Sequence, residues 1–265
     1  RWRRLRLRLR RMCLRLRLCW RWPLIPVAAK SLPAPELSRQ LAQWLQGPRS
    51  RALRRAGIGR RERVLEVGCG HGFVTEELAR RAGGTVVAVD IEPQVLPGDR
   101  APNVLPVAAD GRALPFRDAS FDLVFLQTTL LWISPPEAAV QEAARVLAPG
   151  GALVALEPDY GAMIEEPGLG LRVVWLDALE RAGAEPLIGR MLPRMAQEAG
   201  LEPWVEFAHI PRPAEPAALD LLAELPLTVL ERERVAGARE IISRAGEGWS
   251  VFLHVPWLLV VAERR

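Results

Sequence analysis

Glu66, Gly68, Gly70 and Gly72 stand at two-residue intervals, and their types and spacing point to ligand chemistry before any fold is considered. They close a short apolar run, Val64-Leu65-Glu66-Val67, and lead into Phe73, Val74, Glu76, Glu77, Leu78 and Ala79, which repeat at helical spacing. A strand, a glycine turn and a helix together present bare backbone N–H groups at a helix N-terminus, where a nucleotide can lie against them. The dinucleotide fingerprint G-x-G-x-x-G is excluded, because counting from Gly68 puts Phe73 where its third glycine should stand.

A second candidate lies one element further on. Thr85-Val86-Val87-Ala88-Val89-Asp90 is a buried-type strand ending in an acid, 18 residues past Gly72. A carboxylate at such a strand end can accept both ribose hydroxyls; the plainer alternative is a surface acid capping a loop.

With this spacing, E-x-G-x-G-x-G, the sequence resembles the class I S-adenosylmethionine-dependent methyltransferases, in their small-molecule branch. The stretches Ala109-Asp110-Gly111-Arg112-Ala113-Leu114-Pro115-Phe116 and "RVLAPGGALVALEPDY" carry the same likeness. The resemblance implies S-adenosyl-L-methionine as cofactor and S-adenosyl-L-homocysteine as product. It implies an α/β, Rossmann-like, seven-stranded and mostly parallel sheet between helices, its last strand antiparallel. It also implies that Asp110 accepts the adenine amino group and that Gly111 lies along the ring. Cys69, Ile91 and Gln127 complete the expected cofactor contacts, beside Glu66, Gly68, Gly70, Gly72 and Asp90.

The elements that must position these residues are legible in turn. Leu37, Leu41, Trp44 and Leu45 mark one N-terminal helix, and a second runs near 49–56. Gly83-Gly84 turn the chain into the strand that ends at Asp90. Only about a dozen residues, with Pro93, Pro97, Gly98 and Pro102, separate Asp90 from the strand 104–108, which is short for a crossover helix. Leu123–Leu126 form the next strand, ending at Gln127. Ser134 is then expected as N-cap of a helix 137–147, with Pro135 in its first position and Glu137 closing a capping box. Pro149-Gly150-Gly151 turn into a strand 152–156, and further strands are expected at 204–209 and 255–262.

The acceptor side is drawn from residues beyond these strand ends. Residues 161–200 form an insertion expected to act as a helical lid, with Trp132, Trp175, Arg190 and Met191 lining a pocket for a small, hydrophobic or aromatic acceptor. Self-packing of the helical pair is the competing reading. A sulfonium methyl is already activated, so transfer asks mainly for alignment and a dry site. A base is needed only where the acceptor must lose a proton, and His209, Asp159 and Tyr160 are the candidates.

Composition narrows the alternatives. The chain has 265 residues, 49% hydrophobic and 25% charged, enough for one α/β domain with a sizeable core. Its net charge of +5 belongs to the N-terminus: residues 1–22 hold ten Arg and no acid, and the remainder is net acidic by five. Nucleic acid is therefore not the expected partner, since its footprint should spread over a folded face. The N/D-P-P-aromatic turn of amino-methylating nucleic-acid enzymes is absent after Gln127, and no Cys stands where cytosine C5 methylation needs one. An RNA or protein methyltransferase docking through the Arg-rich tail, and a non-catalytic cofactor-binding module, are the alternatives.

Three scattered Cys fit a reducing, cytoplasmic setting and no metal site, and no apolar run reaches the length of a membrane span. Residues 1–33 are expected to be a disordered basic tail and Pro-rich linker before a domain at 34–265. The Leu–Arg alternation of 1–22 suits a basic arm, a targeting peptide or translation upstream of the true start, and the near-monotonous repeat favours the last.

Overall fold

Side-chain alternation sets the layers. In β1 (Arg63–Val67), Val64 and Glu66 point to one face and Leu65 and Val67 to the other, all four buried. The first face packs with Leu53, Leu78, Phe125 and Val154, and the second with Leu126, Val140, Leu192 and Trp175. Both faces are apolar, as a parallel sheet covered by helices on each side requires.

The computed structural model describes residues 32–92, 101–208, 211, 213–246 and 248–265. The Arg-rich stretch, the short connection at 93–100 and the candidate base His209 lie outside the described residues. By its contacts the chain divides into Arg1–Leu32 and Pro33–Arg265, and the architecture below is that of the second unit.

Two helices, α1 (Pro35–Trp44) and α2 (Gln46–Arg55), precede β1. Then come α3 (Thr75–Arg81), β2 (Thr85–Asp90), β3 (Val104–Ala108), β4 (Phe121–Gln127), α4 (Pro136–Val146) and β5 (Leu147–Pro158). The order in the sheet is β3-β2-β1-β4-β5-β9-β7, with β7 at Glu202–Phe207 and β9 at Trp257–Glu263. The strands β1 to β5 pair in parallel, and β9 runs antiparallel between β5 and β7. This is the expected Rossmann-like sheet. Pro256 precedes β9, so its missing N–H interrupts no ladder.

Two local expectations fail. The N-cap of α4 is Pro135 and no side chain caps it, because Ser134 lies one residue too early and its carbonyl accepts Arg112 Nη1 at 2.6 Å. The segment 161–200 is not one lid. Its second helix, α6 (Ile188–Glu198), packs on β5, β7 and β9 as a crossover helix, and Pro193 lies inside it. Burial of Ile188, Leu192, Met195 and Ala196 against the sheet outweighs the lost backbone bond, which costs about 3 kcal/mol in an isolated helix.

The first part of that segment joins a roof assembled from distant pieces. A two-stranded antiparallel sheet pairs β6 (Ile164–Glu166) with β8 (Phe252–His254). The helix α5 (Leu171–Arg181) packs on β6, on the turn at Tyr160–Ala162 and on α8 (Val229–Ala245). A short helix, α7 (Asp220–Ala223), leads into α8, whose start is fixed by a capping box of Thr228 and Glu231. Among the described residues no helix is long and apolar enough to cross a membrane.

Candidate functional site

The glycine turn is held from three sides. The N–H groups of Gly68 and Cys69 donate to Val89 O at 2.8 and 3.0 Å, stitching the turn to β2. Gly68, Gly70 and Gly72 have φ of 76°, 48° and 79°, a left-handed region that side chains with a Cβ rarely enter. Gly68 is doubly constrained, for a Cβ there would sit 2.3 Å from Thr129 Oγ1.

The acids sit where the strands end. The Gly70 N–H donates to Asp90 Oδ2 at 2.8 Å and the Glu92 N–H to Asp90 Oδ1 at 3.1 Å, so the buried Asp90 ties the turn to the end of β2. Glu66 lies behind the turn on the α3 face of β1, and Thr75 at the start of α3 donates to its Oε2 at 2.5 Å. Burial pushes Glu66 up to about 8, against the opposing pull of Thr75 and Arg49. Burial likewise raises the Cys69 thiol, with Glu66 and Asp90 adding to it, so Cys69 is a packed thiol and no nucleophile. Ile91 is 61% exposed, an apolar side chain left open beside Asp90.

Asp110 stands past the end of β3 with both oxygens engaged by Arg112. The guanidinium lies at 2.7–3.1 Å, and the Arg112 N–H adds a bond at 2.8 Å. Partial burial alone would raise the Asp110 pKa, but these bonds outweigh it and hold the carboxyl below its ordinary value. Gly111 fits between Val67 and Ile133, where a Cβ would come within 3.0 and 3.2 Å of them. Arg145 of α4 fixes the same loop through Glu142, Asp118 and the carbonyls of Leu114 and Phe116.

Gln127, at the end of β4, has its side-chain oxygen 3.0 Å from Arg49 Nη1. Arg49 is buried, binds Glu77 through Nε and Nη2, and reaches Ala42 O. After Gln127 the chain turns through Thr128, at φ 51°, and Thr129, whose hydroxyl donates to Val67 O and Gln127 O at 3.2 and 3.0 Å. A non-glycine residue in that region is costly, by about 1–3 kcal/mol, and is held there only by its surroundings. What holds it is Glu157, whose Oε1 accepts the N–H groups of Thr129 and Leu130, each at 2.9 Å.

The acceptor candidates gather beyond β5. Asp159 accepts Arg190 Nε through both oxygens, at 3.0 and 2.8 Å, so one catalytic and one pocket candidate form an ion pair. Tyr160 is buried and stacks on Trp175, with centroids 4.6 Å apart and planes at 25°. Burial and the nearby Glu157 raise its pKa far above the usual, so it stays a phenol at neutral pH. Trp132 and Met191 are half-buried against the same apolar cluster. Among the described residues no group of three or more His, Cys, Asp or Glu could hold a metal ion.

Arg49, Thr75, Arg112 and Thr129 escaped the sequence reading. The Asp-Gly-Arg turn is the one local signal that could have found Arg112, whose own N–H closes an Asx-type turn on Asp110. Arg49 gives no such signal, because its partners lie 28 and 78 residues away.

A seven-stranded sheet with β9 antiparallel, a glycine cradle that a Cβ would fill, and acids at successive strand ends define the methyltransferase class of Rossmann-like folds. Residues 65–155 match the model of a methyltransferase domain, in keeping with the resemblance to the S-adenosylmethionine-dependent methyltransferases. It is 33% identical over 148 residues to the biotin biosynthesis bifunctional protein BioHC of Cellvibrio japonicus (strain Ueda107), a match covering 54% of this chain and 28% of that one. It is 41% identical over 101 residues to the demethylmenaquinone methyltransferase of Mycobacterium sp. (strain KMS), covering 38% of this chain and 44% of the relative. The matched stretch thus spans less than half of either relative. The geranyl diphosphate C-methyltransferase of Streptomyces coelicolor A3(2), solved with S-adenosyl-L-homocysteine, superposes with a TM-score of 0.52 at 16% identity, over 82% of this chain and 77% of that one. Likeness at that identity shows the fold.

Proposed function

We propose that this protein transfers a methyl group from S-adenosyl-L-methionine to a small, apolar or aromatic acceptor seated between the turn after β4 and the roof. The observation that carries this reading is the apolar packing beyond β5: the Tyr160–Trp175 stack lies in one buried cluster with Leu130, Met163 and the roof residues Leu219 and Val235. A polymer would need an open, charged approach, whereas apolar surroundings of this kind favour a small ligand that can be enclosed. The name of the Mycobacterium relative, a demethylmenaquinone methyltransferase, suits an aromatic acceptor of this kind.

The cofactor supplies an activated methyl on a cationic sulfur. Gly68, Gly70 and Gly72 would hold it against bare backbone, Asp90 would take the ribose hydroxyls and Asp110 the adenine amino group. Cys69, Ile91, Gly111 and Gln127 would line the same side. The remaining work is alignment and exclusion of water, which can be worth several kcal/mol of the barrier. Where the acceptor must shed a proton, Asp159 or His209 would receive it. Tyr160, kept as a phenol, serves as a wall with Trp132, Trp175 and Met191, while Arg190 holds Asp159 in place.

The test is transfer of tritium from methyl-labelled S-adenosyl-L-methionine to a panel of quinones, phenols and amines. We expect extractable labelled product from an aromatic member of the panel, unchanged when residues 1–22 are removed. Label found only in added RNA or protein, or lost with those residues, would replace this reading by the docking-arm alternative. Cofactor binding without transfer to any acceptor would leave a binding module.

A further inference from the structure

Glu157 is a fully buried carboxylate at the end of β5, and its role is not exhausted by the two amides that Oε1 accepts. Among the described residues its Oε2 has no hydrogen-bond partner, although it is buried. A buried carboxylate is costly unless a cation pairs with it.

The charged and titratable groups around it do not serve. Arg190, on α6, is taken by Asp159, and Arg49 is taken by Glu77 and Gln127. Tyr160, on the following turn, is a neutral phenol. On the strands to either side, Gln127 is uncharged and Leu258 of β9 lies opposite Glu157 in register. What Glu157 touches instead is the turn that abuts the cofactor glycine: it holds Thr129, whose side chain fills the space where a Gly68 Cβ would stand.

We propose that the Glu157 carboxylate is the counter-charge for the cofactor's cationic sulfur, favouring S-adenosyl-L-methionine over the uncharged product S-adenosyl-L-homocysteine. Substrate and product differ by one methyl and one positive charge, so a fixed anion beside the site distinguishes them where hydrogen bonds to the shared groups do not. Such a residue assists turnover by weakening the hold on product. The inference rests on the cofactor and is independent of which acceptor is methylated.

Burial pushes Glu157 up to about 7, against the pull of the backbone amides. A bound cation stabilises the anion and lowers that value, so binding at neutral pH releases a proton. Each unit by which the value falls corresponds to about a tenfold gain in affinity between the protonated and ionised forms. Glu66 also titrates in this range, raised to about 8, and needs its own control.

The experiment is isothermal titration of the full chain with S-adenosyl-L-methionine and with S-adenosyl-L-homocysteine from pH 6 to 8. We expect the affinity ratio to rise about fivefold or more in favour of the sulfonium. Proton release on binding it should show in buffers of different ionisation enthalpy. Glu157→Gln, which can still accept the two amides, should flatten the ratio, while Glu66→Gln should leave its pH dependence intact. A ratio independent of pH in the native protein, a dependence that survives in Glu157→Gln, or equal weakening of both ligands in that variant would each overturn the proposal. Should Glu157→Gln not fold, the native profile and Glu66→Gln still decide, since loss of the dependence in Glu66→Gln assigns it to the wrong carboxylate.

Discussion

The two sides of the candidate site are built differently. Around the glycine turn and the acids at the ends of β2 and β3 the contacts are short in sequence: Glu66 to Thr75 spans 9 residues, Gly70 to Asp90 spans 20, and Asp110 to Arg112 spans 2, whereas Gln127 reaches Arg49 across 78. At the junction and on the acceptor side Thr129 meets Glu157 across 28 residues and Asp159 meets Arg190 across 31, while β6 pairs with β8 in the register Ile164 to His254. The cofactor side repeats one unit, a strand whose end presents a turn and an acid. The acceptor side is a corner where β5, the β4 turn and a roof of separate segments meet. A fixed ligand can be met by local geometry, whereas a pocket for one acceptor among many is assembled from whatever the roof brings together.

The sharpest way to break this contrast is Gly68→Val. The substitution asks a β-branched residue to adopt φ 76° and to share space with Thr129. Strain of about 1–3 kcal/mol adds to the overlap, and we expect cofactor affinity to fall by about a thousandfold or more in titration calorimetry. The apolar packing of the roof, which makes no use of Gly68, should persist, as near-ultraviolet circular dichroism of its Trp residues would report. Affinity within tenfold of the native value would mean that the glycine cradle is not where the cofactor lies.

A second test turns on charge. Glu66 and Glu157 are raised by burial to about 8 and about 7, well above a carboxyl in an unfolded chain. In the window between, the folded state binds more protons than the unfolded state. Their contribution is therefore complete below the unfolded value near 4.5 and is lost as pH rises through 7 and 8. We expect the urea midpoint of the ligand-free protein to fall from pH 5 to pH 8.5, the total for the two groups being on the order of 6 kcal/mol. Glu66→Gln should remove the upper part of that slope. A midpoint that rises over this interval would contradict the buried, protonated state of both carboxyls.

The same contrast explains what could be read from the chain. Gly68, Asp90 and the order of the strands were legible because backbone conformation and strand ends restrict the residue types allowed there. Trp175 was legible only as apolar content, since nothing local says that it will stack on Tyr160. A helix across 188–198 is not legible locally, because Gly189 and Pro193 are residues that usually interrupt one. In the fold Gly189 lies so close to β5 that a Cβ would come 2.8 Å from Pro158 O, and Pro193 is carried inside α6 by the burial around it. Arg190 and Met191 consequently sit on a sheet-packed helix whose first turn reaches the site, not on a roof. Local propensity was overruled there by tertiary packing.

The mildest test probes the seam between the two sides. Arg190 of α6 is half exposed, while Asp159, its partner on the turn after β5, is almost wholly buried. Arg190→Met keeps the apolar stem and removes the charge, leaving Asp159 without its side-chain donor. A buried acceptor left unmade costs about 1–3 kcal/mol, or roughly 2–4 °C in melting temperature for each kcal/mol in a chain of this size. Adding Asp159→Asn should recover most of that loss, because the uncharged amide needs no counter-ion. Affinity for S-adenosyl-L-homocysteine should stay within about twofold in both variants, since neither residue touches the glycine turn or the acids at the ends of β2 and β3. A larger loss of affinity in Arg190→Met would mean that α6 positions the cofactor side as well, and the two sides would then have to be treated as one cooperative site.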